Sequence, residues 1–450
     1  MVLITVSGFP ENFGKSMLCS AHCCSMPVTT IMEKTVNQSD YIFRRAESPE
    51  DAGRLRELFT EVFYPEEVGA FAEILFHHLP GRDYRYWFIA EEKATSVIAA
   101  AFTLIPWVWE MDGISLKAAE LGVVGTREGH RKKGLMERLN REFDGTLREE
   151  GYDIAGIQGI PGFYNRFGFH YAIPLENSIH VPFHVVEDGS SGGPYTFREG
   201  GLDDIPFFIG EDRVFRNRHC LASFRGEEQW RYLLTHSKKT EYGSEYWIME
   251  NNSREERYYF RVPLMGFGDG LIVSEVSEAI TAEAVGAMLA FCREKAMERG
   301  KPSIRLTLPD TSPAAHVALA MGAVRGDCYG WQIKIPDAMM FIRKISPLLE
   351  KRLRPGPFRE MTGTVRIDLY RQQIDILWEK GLITAVRPGE GEAETVIAVP
   401  RDLFPALCLG YRTLKELNHS RPDISASTWK AALLAEALFP VTSSWINEQY

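Results

Sequence analysis

The spacing of apolar positions changes several times along the chain, and each change marks an element. Tyr41 to Arg45 alternates as a short strand. Ser48-Pro49-Glu50-Asp51 reads as a helix start, with a capping Ser, a Pro in the first turn and acids at the positive end. Leu55, Leu58, Phe59 and Phe63 follow at helical spacing. "YWFIAEE" and "ATSVIAAAFTLIPWVWEMDG" predict strands, Met111-Asp112-Gly113 a turn, and "SLKAAELGVV" a further strand. Leu135, Leu139, Phe143 and Leu147 mark the apolar face of a helix over about 133–150, with Gly151 as its stop. "YDIAGIQ" returns to a strand. Between the last two strands, just before the helix, lies "GHRKKGLMERL", residues 129–139.

A similar order recurs beyond "EDGSSGGP", residues 187–194, which predicts a flexible joint. "GLIVSEVS" reads as a strand and "TAEAVGAMLAFCREKAMERG" as a long helix ending at Gly300. "PSIRLTLP" is a strand and "SPAAHVALAMGAV" a short helix. The order matches the first unit without its basic glycine turn, which predicts an internal duplication whose second copy lost the ligand loop. After about Asp337 come a helix, "AMMFIRKISPLLEKRL", strands such as "GTVRIDLY" and "TVIAVP", and helices "RDLFPALCLGY" and "STWKAALLAEALF". This is the pattern of a third, α+β domain. The expected division is a poorly structured extension at 1–40 and domains at 41–186, 195–336 and 337–450.

Composition narrows the function classes. The chain has 450 residues, enough for two or three cores. Its formal net charge is −10, which argues against a general nucleic-acid surface, because phosphate neutralisation needs an excess of Lys and Arg. No apolar run is long enough to span a bilayer. Seven cysteines in this length do not make a disulfide scaffold. Cys19, His22, Cys23 and Cys24 cluster near the start, but their spacing matches no common zinc pattern, and no metal site is expected. The segment 1–40 lacks a basic start followed by an apolar core, so a cytoplasmic protein is expected.

The basic turn must therefore act locally. Backbone N–H groups at a helix N-terminus are unpaired and point outward, and the helix dipole favours an anion there. Gly134 lets backbone approach a phosphate closely. Arg131, Lys132 and Lys133 oppose the dipole at this end unless an anion binds. The P-loop and dinucleotide glycine patterns are both missing. The residues alone leave two readings, a solvated basic cluster and a phosphate cradle.

Arg131-Lys132-Lys133-Gly134-Leu135-Met136 resembles the acyl-CoA turn of the GNAT N-acetyltransferases, Arg/Gln-x-x-Gly-x-Gly/Ala, with Met136 replacing the last small residue. The subgroup resembling the Eis (enhanced intracellular survival) acetyltransferases also carries a large apolar residue there. "GFYNRFGF", residues 162–169, resembles that subgroup's Tyr-x-Arg-Phe-Gly-Tyr segment. The resemblance spans about 41–450. It implies tandem GNAT folds, the second degenerate, followed by an α+β domain like sterol carrier proteins.

The resemblance also implies roles. Backbone groups of Val124, Gly125 and Thr126 would hold the acetyl carbonyl and pantetheine arm of acetyl-CoA. Lys132, Lys133, Gly134, Leu135, Met136 and Glu137, beside Arg131, would present N–H groups to the pyrophosphate, and Gly159 and Ile160 would line the cofactor. Tyr164 would be the general acid that protonates the leaving thiolate. The base stays open between the terminal carboxylate of Tyr450 and Glu120. On the residues alone, Tyr164 reads first as a buried aromatic that anchors the short helix, and Glu120 as a surface strand residue or a partner of Lys117. The implied activity is acetyl transfer to a primary amine, such as an aminoglycoside, a polyamine or a lysine-like acceptor. One acetyl-CoA per chain is expected, and a homo-oligomer, a hexamer in the family. The alternative is a non-catalytic CoA-binding scaffold, or a lipid carrier using the last domain.

Overall fold

A computed structural model describes residues 38–187, 193–251, 253–266 and 268–450. The expected N-terminal extension, with Cys19, His22, Cys23 and Cys24, falls outside these except for 38–40, and most of the expected joint does too. The first unit runs β1 (Tyr41–Arg45), α1 (Glu50–Phe63), α2 (Val68–His78), β2 (Trp87–Glu92), β3 (Ile98–Met111), β4 (Ile114–Thr126), α3 (Leu135–Glu149), β5 (Ile154–Ile157) and β6 (His170–Pro182). Ser48 does not cap α1: the cap position is Pro49, one residue later, and no side-chain cap bond forms. Instead Asp51 of the first turn accepts the Glu47 N–H at 3.0 Å and two bonds from Arg44, at 2.7 and 2.9 Å. That pairing ties the helix start to β1.

β3 and β4 form a long antiparallel hairpin across Asp112-Gly113. Its register breaks once. Thr103 pairs with Gly122 and Ala101 with Gly125, so Val123 and Val124 together stand opposite Phe102. This is a β-bulge, and Val123 takes φ +50°, rare for a β-branched residue. β4 runs parallel to β5 only from Ala118↔Ile154 to Glu120↔Gly156. Beyond that the two strands part, and their C-terminal ends open a gap.

The sheet continues past β5 in an order that the local pattern does not disclose. The sequence is β1-β2-β3-β4-β5, then Val324–Lys334, β6, Ser303–Thr307 and Leu271–Val273. A strand of the second unit thus lies between the last two strands of the first, and the two units share one sheet. "GLIVSEVS" is two strands rather than one, Leu271–Val273 and Glu275–Val276. The break at Ser274 sends the second piece to a separate sheet with Glu256–Pro263, Ser244–Asn251 and Thr196–Glu199. After Asp337, the helix Ala338–Leu353 and the helix Trp429–Leu438 cover a five-stranded sheet. The interior there is filled by large side chains such as Trp378, Phe404 and Leu407, and it is continuous with the core of the first unit. The tail then returns: Ser444–Trp445 pairs in parallel with Leu221–Ser223, which pairs with the end of β3.

Under the basic turn, Leu135, Leu139, Phe143 and Leu147 of α3 pack with Phe88, Phe102 and Phe169. This apolar layer fixes the direction of the helix N-terminus. Replacing Leu139 by Ala removes a fully buried side chain. The expected cost is about 2–5 kcal/mol, read from the midpoint of a denaturant unfolding curve.

Candidate active site

After β4, Glu128–His130 makes one 3₁₀ turn. The backbone then enters the left-handed region at Lys132, φ +62°, and again at Gly134, φ +69°, which is the N-cap of α3. A turn that alternates hand in this way converges successive N–H groups into an anion-binding nest. The unpaired first N–H groups of α3 add to it. Arg131 Nε donates to the Thr126 carbonyl at 3.4 Å, tying the turn to the end of β4. Lys133 Nζ donates to the Tyr41 hydroxyl at 3.0 Å, and that hydroxyl lies 2.8 Å from His130 Nδ1. Two of the three cations therefore also brace the loop, which a count of charges does not reveal.

The turn borders a cleft of about 630 Å³. Val124, Gly125, Thr126, Arg131, Lys132, Lys133, Gly134, Leu135, Met136, Glu137 and Ile160 all line it. Arg166 and Phe167, which belong to "GFYNRFGF" but were given no role from sequence, line it too. Gly159 has a different place. A Cβ on it would come within 2.3 Å of the Tyr164 ring, so its bare backbone is the seat of that ring. The Gly159 carbonyl accepts from Gln332 Nε2 at 3.0 Å and from the Tyr329 hydroxyl, both on the inserted strand Val324–Lys334.

Val124 borders both this cleft and a small inner pocket. The inner pocket holds Glu120, Gln158, Tyr164 and Tyr450. Glu120 points inward from β4 and is buried. Its Oε2 accepts from Trp107 Nε1 at 3.1 Å, and its Oε1 accepts from the Tyr450 hydroxyl at 2.8 Å. Gln158 Nε2 donates in turn to the Tyr450 hydroxyl at 3.2 Å. Burial pushes the Glu120 carboxyl up to about 7, against the two hydrogen bonds, which lower it. Lys117 is not its partner. That ammonium lies over the Tyr152 ring and donates to the Glu150 carbonyl at 2.8 Å. Tyr164 begins the 3₁₀ turn Tyr164–Phe167 and is buried, and burial pushes its hydroxyl well above the ordinary phenol range. Among the described residues that hydroxyl has no hydrogen-bond partner.

The last residue of the chain thus reaches the pocket, with its hydroxyl on Glu120. Its ring packs against Phe71 and Trp107 at centroid distances of 5.2 and 5.9 Å. His77 and His78 end α2 beside Phe76 and His236 and do not line the pocket. Trp109 is a core residue against Trp331. A third chamber of about 90 Å³ shares Gln158 and is bordered by Glu66, Glu176, Glu448, Arg305 and Tyr242. Tyr242 donates to Glu66 at 2.9 Å, and Arg305 lies 3.3 Å from Glu176. No local motif marks these residues, which come from separate units. Among the described residues no group of three or more His, Cys, Asp or Glu is arranged for a metal ion, and no helix is long and apolar enough to cross a membrane.

Residues 35–172 match the model of the acetyltransferase (GNAT) domain family. No curated protein sequence matches the chain. Solved structures share the fold over nearly the whole length. A GCN5-related N-acetyltransferase from Kribbella flavida superposes with a TM-score of 0.64 at 13% identity, covering 92% of this chain and 100% of its own. One from Anabaena variabilis gives 0.62 at 14% identity, covering 90% and 99%. Eis1 from Mycobacterium abscessus gives 0.58 at 13% identity, covering 91% and 100%. Residues 35–172 are therefore a GNAT acetyltransferase domain, and the chain as a whole shares the fold of GCN5-related N-acetyltransferases and of Eis1.

Proposed function

We propose that the chain transfers an acetyl group from acetyl-CoA to a primary amine by direct attack. The observation that carries this reading is the position of Val124, which borders both the cleft under the basic turn and the pocket of Glu120 and Tyr164. The cleft fits the co-substrate. Lys132 to Glu137 offer converging N–H groups and positive charge for a pyrophosphate, and the bulge at Val123 and Val124 frees backbone groups from the hairpin for the pantetheine arm and acetyl carbonyl. The amine nitrogen attacks the thioester carbon, the carbon–sulfur bond breaks, and acetyl-amine and coenzyme A leave.

Three protons must move, because the nitrogen sheds a second proton as the amide forms, and that one replaces the proton Tyr164 gives to sulfur. An ammonium cannot attack, so it first loses a proton, and Glu120 accepts it. A carboxyl held at about 7 takes such a proton and releases it again near neutrality. Tyr164 donates a proton to the departing sulfur, and its raised hydroxyl keeps that proton until a thiolate forms beside it. The terminal carboxylate of Tyr450 is the alternative base. Glu120 is supported by its own carboxyl in the pocket, whereas Tyr450 enters it through a hydroxyl bonded to that carboxyl. The neighbouring chamber, with Glu66, Glu176 and Glu448, supports a cationic acceptor. In this reading 41–186 is the catalytic domain and 195–336 a degenerate copy. The filled interior of 337–450 supports a scaffold over a lipid carrier.

Coenzyme A release from a panel of polyamines and aminoglycosides, followed against pH, tests the assignment. Activity of the parent rises with pH through about 7, as Glu120 becomes a carboxylate. Glu120→Gln removes that limb, and Tyr164→Phe lowers kcat about 100-fold or more with little change in KM for acetyl-CoA. An unchanged limb in the first variant or a parental rate in the second contradicts the roles. Gly159→Ala is expected to displace Tyr164 and to lower both kcat and thermal stability, the latter by about 1–3 kcal/mol.

A further inference from the structure

The tail that closes the Glu120 pocket has only a two-residue strand, Ser444–Trp445, before its last five residues. What seats those residues lies in the second unit. Arg225 and Arg261 are both about 1% exposed. Arg225 donates from Nε to Asp212 at 3.0 Å and from its two terminal nitrogens to Glu275 at 2.9 and 2.8 Å. Its Nη1 also reaches the Glu448 carbonyl at 3.4 Å. Arg261 donates to the Ser274 hydroxyl at 3.1 Å and to the Glu448 carboxylate at 2.6 Å. Its next anion, Glu275, is 3.8 Å away. The adjoining residue is held as well: Gln229 donates to the Gln449 carbonyl, and Gln449 donates to the Phe224 carbonyl at 3.1 Å.

Among the described residues, Arg261 finds its hydrogen-bonded carboxylate only in the tail. Arg216 and Arg225 have carboxylates without it, Glu110, Asp212 and Glu275. Arg261 without Glu448 is a buried guanidinium with no carboxylate in hydrogen-bonding contact, which is costly in a dry interior. The second unit therefore needs Glu448, and Tyr450 follows two residues on.

We propose that Arg261, supported by Arg225, is a positioning residue: it latches the tail through Glu448 so that Tyr450 closes the pocket over Glu120. The latch rests on the reading of Glu120 as base only for its effect on rate. Its structural half stands alone. Among the described residues, the ionisable groups that face Glu120 are Tyr450 and Glu448 from the tail and Tyr164 from the turn after β5. The other contacts are the neutral donors Trp107 and Gln158.

The test compares the full chain with its Arg261→Met, Arg261→Lys and Glu448→Gln variants. Hydrogen–deuterium exchange of the peptide 441–450 reads the tail directly. Arg261→Met is expected to speed that exchange at least tenfold, Glu448→Gln to do the same from the other partner, and Arg261→Lys to restore part of the protection. If Arg261→Met does not fold, Glu448→Gln carries the test. With the tail released, water reaches Glu120, so the acid limb of kcat moves to lower pH and KM for acetyl-CoA stays the same. Parental protection of 441–450 in a folded Arg261→Met or Glu448→Gln protein overturns the latch. Lost protection in Arg261→Met and Glu448→Gln beside a Glu120→Gln variant that keeps its acid limb overturns the base assignment and leaves the latch standing.

Discussion

A carboxyl group taken out of water, with no cation in hydrogen-bonding contact among the described residues, is the constraint on which this site turns. Glu120 sits in the middle of β4 with two neutral donors, an indole N–H and a phenol. Such donors do not repay the lost hydration of a full charge, so the group holds its proton to about pH 7. A carboxyl raised in the folded state stabilises the fold fully below its unfolded value near 4.5, and that contribution fades as pH rises through about 7. The pocket is thus most costly when it is most reactive. That cost is borne because the donors come from places the fold holds firmly: Trp107 on the hairpin partner of β4, and Tyr450 from 330 residues away.

The second unit explains much of this firmness. It lacks the basic glycine turn, yet its strand Val324–Lys334 fills the gap between β5 and β6. From there Gln332 holds the Gly159 carbonyl and Lys334 the Phe167 carbonyl at 2.7 Å, which brackets the segment carrying Tyr164 at both ends. The same unit supplies Arg225, Arg261 and Gln229 to the tail. The second unit thus frames both the segment that carries Tyr164 and the tail that carries Tyr450.

Local signals make the cleft under the basic turn legible. The apolar stripe of α3, the glycine before it and the cations beside it are all within one stretch of chain, and these residues line one cleft. The tandem order of elements was legible for the same reason. The exchanged strand was not, because pairings such as Trp331↔Ile173 join residues far apart with no periodic trace. Gly159 shows a subtler gap: its glycine is visible, but the need for it lies in a ring five residues on that packs onto its backbone. The acidic chamber and the arginine latch are assembled from separate units and left no motif at all. Ser48 looked like a cap because of its neighbours, but Asp51 found a stronger partner in Arg44.

The proposed mechanism puts one acetyl-CoA on each chain, with its pyrophosphate on the turn at Lys132 to Glu137. Calorimetric titration of the intact protein with acetyl-CoA at low and high salt tests it most directly. One equivalent per chain is expected, with an affinity that falls as salt screens the turn. No heat at millimolar acetyl-CoA, or two equivalents per chain, would contradict it.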